Sequence, residues 1–143
     1  LFHTIEYGKK ILDKLSSECG GKVFYYIDGE ISGKKREEIK IEMEKNDGVV
    51  RVLIASFGTV GTGTSIKNLH YLVMADSFKS EQIVIQAIGR LLRLFLGKEE
   101  ALIFDLVDVF DDRMDNIFYK HYLERKKFYK KRKYPYKEIK IKL

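Results

Sequence analysis

Four apolar runs, VFYYI (23–27), RVLIAS (51–56), HYLVMADS (70–77) and ALIFDLVD (101–108), constrain this chain more than any other feature. Each is dominated by branched aliphatic and aromatic residues with little polar alternation, the pattern of strands buried on both faces. Strands of that kind, separated by helical segments, imply an α/β fold: a parallel sheet with helices on both faces. A fifth short strand is expected at LFHTI (1–5). Helices are expected at 6–19, with apolar residues at 7, 11, 12 and 15, at 33–46, and at 79–96. Ser32 is a plausible cap for the second of these, and Asn46-Asp47-Gly48 its stop. A basic helix should run from 112 to about 132, and Pro135 separates it from a short strand, KEIKIKL. In such a sheet the ligand sits past the carboxyl ends of the strands.

Composition narrows the class. With 143 residues, 45% of them hydrophobic, the chain can bury a real core. Its one cysteine, Cys19, rules out an internal disulfide and suits a reducing compartment, so a cytoplasmic location is expected; Cys19 itself is read as inert packing. His3, His70 and His121 are scattered without metal-ligand spacing, so no metal site is expected. No run approaches the roughly 18 to 20 apolar residues of a membrane span, and LFHTIEYGKK is not a signal peptide, so no membrane partner is expected. The net charge of +6 is concentrated at one end: residues 113–143 hold 12 Lys or Arg against 3 Asp or Glu. The chain thus reads as a sheet domain over 1–111 and a basic, aromatic-rich extension over 112–143, and the asymmetry points to a polyanion.

Two phosphate-binding patterns fail. In Gly29-Glu30-Ile31-Ser32-Gly33-Lys34-Lys35, three residues separate the glycines where a P-loop has four, and Lys35 stands where a hydroxyl should hold magnesium. The loop from Gly58 to Ser65 does not spell a dinucleotide fingerprint, though its glycines and hydroxyls could approach a phosphate or sugar closely. A third feature is stronger. In SEQIVIQAIGRLLRLFLG, Gln86, Arg90 and Arg93 fall within about 60° of one another on a helix, and Val84, Ile88, Leu91, Leu92 and Phe95 fall opposite. Lysine outnumbers arginine 20 to 7 in the chain, yet this ridge carries two arginines and no acid. A planar fork of donors suits phosphate oxygens better than a solvated face requires.

In order, these segments resemble the second RecA-like domain of superfamily 2 helicases. Gln86-Ala-Ile-Gly89-Arg90-Leu-Leu-Arg93 matches the QxxGRxxR pattern of helicase motif VI. Ile54-Ala55-Ser56 followed by Gly61-Thr62-Gly63-Thr64-Ser65-Ile66 is similar to motif V, and Leu1-Phe2-His3-Thr4 to the end of motif IV. Asp28-Gly29 with Arg36 resembles the HG…R segment, Asp28 replacing the usual His. The nearest branch is the UvsW-type recombination and fork-remodelling helicases of large tailed phages. The resemblance implies that Arg90 and Arg93 act as arginine fingers on the γ-phosphate of ATP, with Gln86 sensing nucleotide state. It places Gly63, Ser65 and Gly89 near the nucleotide, and Thr4, Gly29 and Ser56 against the phosphates of a DNA or RNA strand. ATP with Mg2+ would be held mainly by an N-terminal RecA-like domain of the same protein, so the chain alone should be inactive. Lys126, Lys127, Lys130, Lys131 and Lys133, set among tyrosines and phenylalanines, suit single-strand binding. The alternative is that the aromatics merely pack the helix and the lysines are solvated. A non-catalytic nucleic-acid-binding or interaction module on a RecA-like shell is the competing function.

Overall fold

A computed structural model describes residues 1–61, 65–109 and 116–141. They form two units, Leu1–Asp76 with Gln82–Leu106, and Ser77–Glu81 with Val107–Leu143. In chain order the elements are α1 (Ile5–Glu18), β1 (Val23–Ile27), α2 (Gly33–Met43), β2 (Arg51–Ala55), α3 (Phe57–Gly61), β3 (Tyr71–Met74), α4 (Glu81–Leu91), β4 (Leu102–Asp105) and α5 (Ile117–Lys131). None of the described helices is long and apolar enough to cross a membrane.

The sheet of the first unit is parallel, as the apolar runs predict. β1 pairs with β2 from Val23↔Arg51 to Ile27↔Ala55, and β3 with β4 from Tyr71↔Leu102 to Met74↔Asp105. Residues 1 and 2 join the two pairs. Phe2 N donates to Ala55 O at 3.1 Å and Phe57 N to Phe2 O at 3.0 Å, while Leu1 N donates to Val73 O at 2.6 Å and Ala75 N to Leu1 O at 3.1 Å. The order across the sheet is therefore β1, β2, residues 1–2, β3, β4. The strand expected over 1–5 shrinks to a single bridge, Phe2↔Ser56, because the extended Thr4 already caps α1. Phe2 is wholly buried, its ring stacked 5.5 Å from that of Tyr26. A side chain at Gly8 would meet the Phe2 ring at 2.5 Å, so only glycine lets α1 lie this close.

Ile39 and Met43, four residues apart on α2, pack with Ile27, Ala55 and Ile66 into one core cluster. Ser32 caps α2 as expected, its Oγ accepting from Lys35 N at 3.3 Å. Two further expectations fail in this unit. The apolar run of β3 and β4 is not buried on both faces: Tyr71, Val73, Leu102 and Phe104 are 42–62% exposed, while Met74 is buried. A continuous apolar run cannot reveal which face a sheet leaves open. Also, α4 ends at Leu91 and not at 96, since Lys98 Nζ reaches back to the carbonyls of Leu91 and Arg93 and satisfies the helix end. Leu92, expected on the buried stripe, is 55% exposed for that reason.

In the second unit Asn116 caps α5, its side chain accepting from Tyr119 N at 2.7 Å. Phe128 and Tyr129 are buried, so the helix is not solvated on every side. Residues 137–141 form no strand. Instead Glu138 turns back to Lys126, at 2.5 Å, and to the Tyr122 hydroxyl.

Candidate functional site

The ridge of α4 is present over its helical part. Val84, Ala87, Ile88 and Leu91 are buried, while Gln86 and Gly89 are exposed and Arg90 is half-buried. Arg93 lies beyond the last helical residue, a correction to the expected single ridge, yet it stays beside Arg90. Burial, and then the charge of Arg93, pull the Arg90 guanidinium below its ordinary range. Two like charges are thus held together at a partly desolvated edge. A polyanion is the ligand such a pair accepts most readily. A Cβ on Gly89 would meet nothing within 4 Å among the described residues, so no intramolecular contact demands glycine there.

Thr4, Gly29 and Ser56 come together at the carboxyl ends of adjacent strands. Ser56 N donates to Ile27 O at 3.1 Å, at the end of β1, and Ser56 bridges to Phe2, two residues before Thr4. Gly29 follows Ile27 in the next turn. Arg36 holds that turn, donating from Nη2 to Asp28 O at 3.0 Å and Gly29 O at 3.2 Å. Asp28 is 3% exposed, and its carboxylate accepts from Glu30 N at 2.9 Å. It is an inward turn-former that presents no acid to a passing phosphate. Burial, reinforced by the Asp28 charge, pushes the Tyr26 hydroxyl up to about 12. Thr4 is exposed and makes no side-chain cap bond to α1. The Ser56 hydroxyl is occupied locally: Thr59 Oγ1 donates to Ser56 O at 2.8 Å, which leaves Ser56 Oγ to donate to Thr59 Oγ1 at 2.9 Å. Ser65 is half-buried ahead of β3, and Gly63 lies outside the described residues.

The five lysines of α5 and its end differ in their surroundings. Lys126 pairs with Glu138 at 2.5 Å, Lys127 with Glu124 at 2.7 Å, and Lys131 stands 3.9 Å from Glu81. Hydrogen bonds from Lys126 and then Tyr122 hold the Glu138 carboxyl below its ordinary range. Lys130 and Lys133 are exposed. Arg125, unremarked in the sequence, is 1% exposed and donates to Phe78 O at 2.5 Å. Position 125 falls on the stripe 118, 122, 125, 129, whose helical spacing is the one signal that could have flagged it. Among the described residues no three His, Cys, Asp or Glu side chains gather as a metal site.

The parallel strands with their helices form a fold similar to that of a RecA-like helicase C-terminal domain. The helicase conserved C-terminal domain matches residues 2–95, more than half of the chain, and the chain belongs to that family. It is 40% identical over 108 residues to the ATP-dependent DNA helicase uvsW of Enterobacteria phage T4, a match covering 76% of this chain and 21% of that protein. The chain thus spans about a fifth of that relative's length. Its fold is similar to the crystal structure of the C-terminal part of the Fun30 ATPase domain, with a TM-score of 0.62 at 18% identity, covering 84% of this chain and 35% of that one.

Proposed function

We propose that this chain is the second motor domain of an ATP-dependent DNA or RNA helicase or translocase, working with an N-terminal RecA-like domain of the same protein. Recombination, repair or replication-fork remodelling in a bacterial or host cytoplasm is the setting this reading assigns to it. One observation carries the reading: the half-buried Arg90 guanidinium lies close enough to Arg93, at the end of α4, to feel its charge. Across an interdomain cleft, that pair would stabilise charge developing on the transferred γ-phosphoryl group. Gln86, on the preceding turn, would report nucleotide state. The exposed Gly89 leaves room for a close approach, and Ser65 and Gly63 would border the nucleotide. Magnesium would supply charge neutralisation from the other domain. Thr4, the Gly29 turn held by Arg36, and the backbone at Ser56 would track a nucleic-acid strand past the strand ends. Lys126, Lys127, Lys130, Lys131 and Lys133 would add phosphate contacts.

Steady-state ATPase of the protein carrying both motor domains tests this. Arg90→Ala and Arg93→Ala should each lower kcat by roughly a thousandfold, the scale of arginine-finger loss. Wild-type turnover in both variants would refute the reading. The 143-residue chain alone should show no nucleic-acid-stimulated hydrolysis.

A further inference from the structure

The segment 92–98 leaves the end of α4 and lies wholly within the first unit. Leu92, Leu94 and Leu96 are 55%, 91% and 89% exposed, and Phe95 is only half-buried, so apolar burial does little to fix its path. Polar contacts fix it instead. Arg93 N donates to Arg90 O at 3.3 Å, and Lys98 N to Phe95 O at 3.1 Å. Gly97, with φ 81°, takes the left-handed conformation that lets the chain turn back. The Lys98 ammonium then donates to the carbonyl of Leu91 and, at 3.0 Å, to that of Arg93.

The carbonyls of a last helical turn lack intrahelical donors, and water or a solvated lysine can serve them loosely. Lys98 serves them differently. It is half-buried, and burial pulls its ammonium below its ordinary range. Withdrawing a cation from water is unfavourable unless its donors are met, and here two backbone carbonyls meet them. One of the two belongs to a residue that the helix no longer holds, since α4 ends at Leu91. Both backbone polar groups of Arg93 are thus engaged, the N–H by Arg90 and the C=O by Lys98. Without the ammonium, a single amide contact would be left to orient the arginine.

We propose that Lys98 is a positioning residue: by holding the Arg93 carbonyl it sets where the Arg93 guanidinium stands. The inference rests on the reading of Arg93 as a group that meets the γ-phosphate. With its ammonium engaged by backbone carbonyls, Lys98 acts through Arg93 and not on the phosphate itself.

A kinetic double-mutant cycle in the protein carrying both motor domains separates this role from mere support of the fold. Lys98→Met keeps the aliphatic stem and removes the ammonium. It should lower kcat by roughly ten- to a hundredfold, the scale of a misplaced catalytic group, with KM for ATP changed less than about twofold. In an Arg93→Ala background the same substitution should cost no more than about a further twofold, since the group it positions is gone. A support role reduces the folded fraction and would multiply the two losses in full. That outcome, or unchanged turnover in Lys98→Met, overturns the proposal, while a crippled Arg93→Ala leaves the finger reading intact. Undiminished turnover in Arg93→Ala would overturn both. Should Lys98→Met fail to fold, Lys98→Gln, whose shorter, uncharged side chain cannot serve both carbonyls, enters the same cycle with the same expectations.

Discussion

α4 and α5 each carry one arginine and treat it in different ways. α4 buries four small or aliphatic side chains and leaves Arg90 half-buried beside the charge of Arg93. α5 buries Phe128 and Tyr129 and, between them and the helix start, Arg125. Charge density misleads on the second helix: its lysines keep their heads toward water, while an arginine can be buried by stacking and donating at once. The lesson is that an arginine belongs to a ligand or to the fold according to what its neighbours offer, and that composition alone does not separate the two.

The sharpest way to break this contrast is to remove the core of α5. Phe128 is 5% exposed, and Phe128→Ala should cost about 3–5 kcal/mol, the range for emptying a buried aromatic site. Urea unfolding with amide exchange on α5 would read it. Unaltered stability would mean that α5 is a solvated arm after all.

On α4 a smaller effect of mixed sign is expected. Gly89→Ala should stabilise the helix by about 0.5–1 kcal/mol, because glycine is a poor helix former and a methyl group finds open space. In the protein with both motor domains the same change should reduce ATPase turnover, as the methyl intrudes where the nucleotide-bearing domain approaches. A gain in stability with full activity would show that this surface faces only solvent.

The smallest effect separates the lysines. Replacing exposed Lys130 and Lys133 by Gln should flatten the dependence of log Kobs on log salt for single-stranded nucleic acid by about 1.4, near 0.7 per phosphate contact. The Lys126→Gln, Lys127→Gln pair should flatten it less, since Glu138 and Glu124 already occupy those ammonium groups. Equal slopes would mean that the carboxylates yield freely to phosphate.

The parallel sheet was legible because branched and aromatic runs fit a strand whatever surrounds them, and the Ser32 cap because its chemistry is local. Long-range partners were not legible. Nothing in LFHTI announces that Leu1 and Phe2 alone would join two strand pairs, or that Lys98 would close α4 early from beyond its end. In the sequence Asp28 only replaces the usual His; its turn shows the carboxylate directed to the Glu30 amide. Arg125 stayed hidden among adjacent cations because its partner, Phe78, is far away in the chain. Of the candidate site, the arginine pair was visible in the spacing, whereas the partial burial that perturbs Arg90 comes only from tertiary packing.

The most direct test compares two ligands of the two-domain protein. ADP resembles the ground state, while ADP–aluminium fluoride mimics the transferring phosphoryl group. If Arg90 and Arg93 meet that group only as charge develops, Arg90→Ala should weaken ADP–aluminium fluoride binding by at least about a hundredfold and leave ADP within about threefold. Equal losses for both ligands, or none for either, would contradict the account.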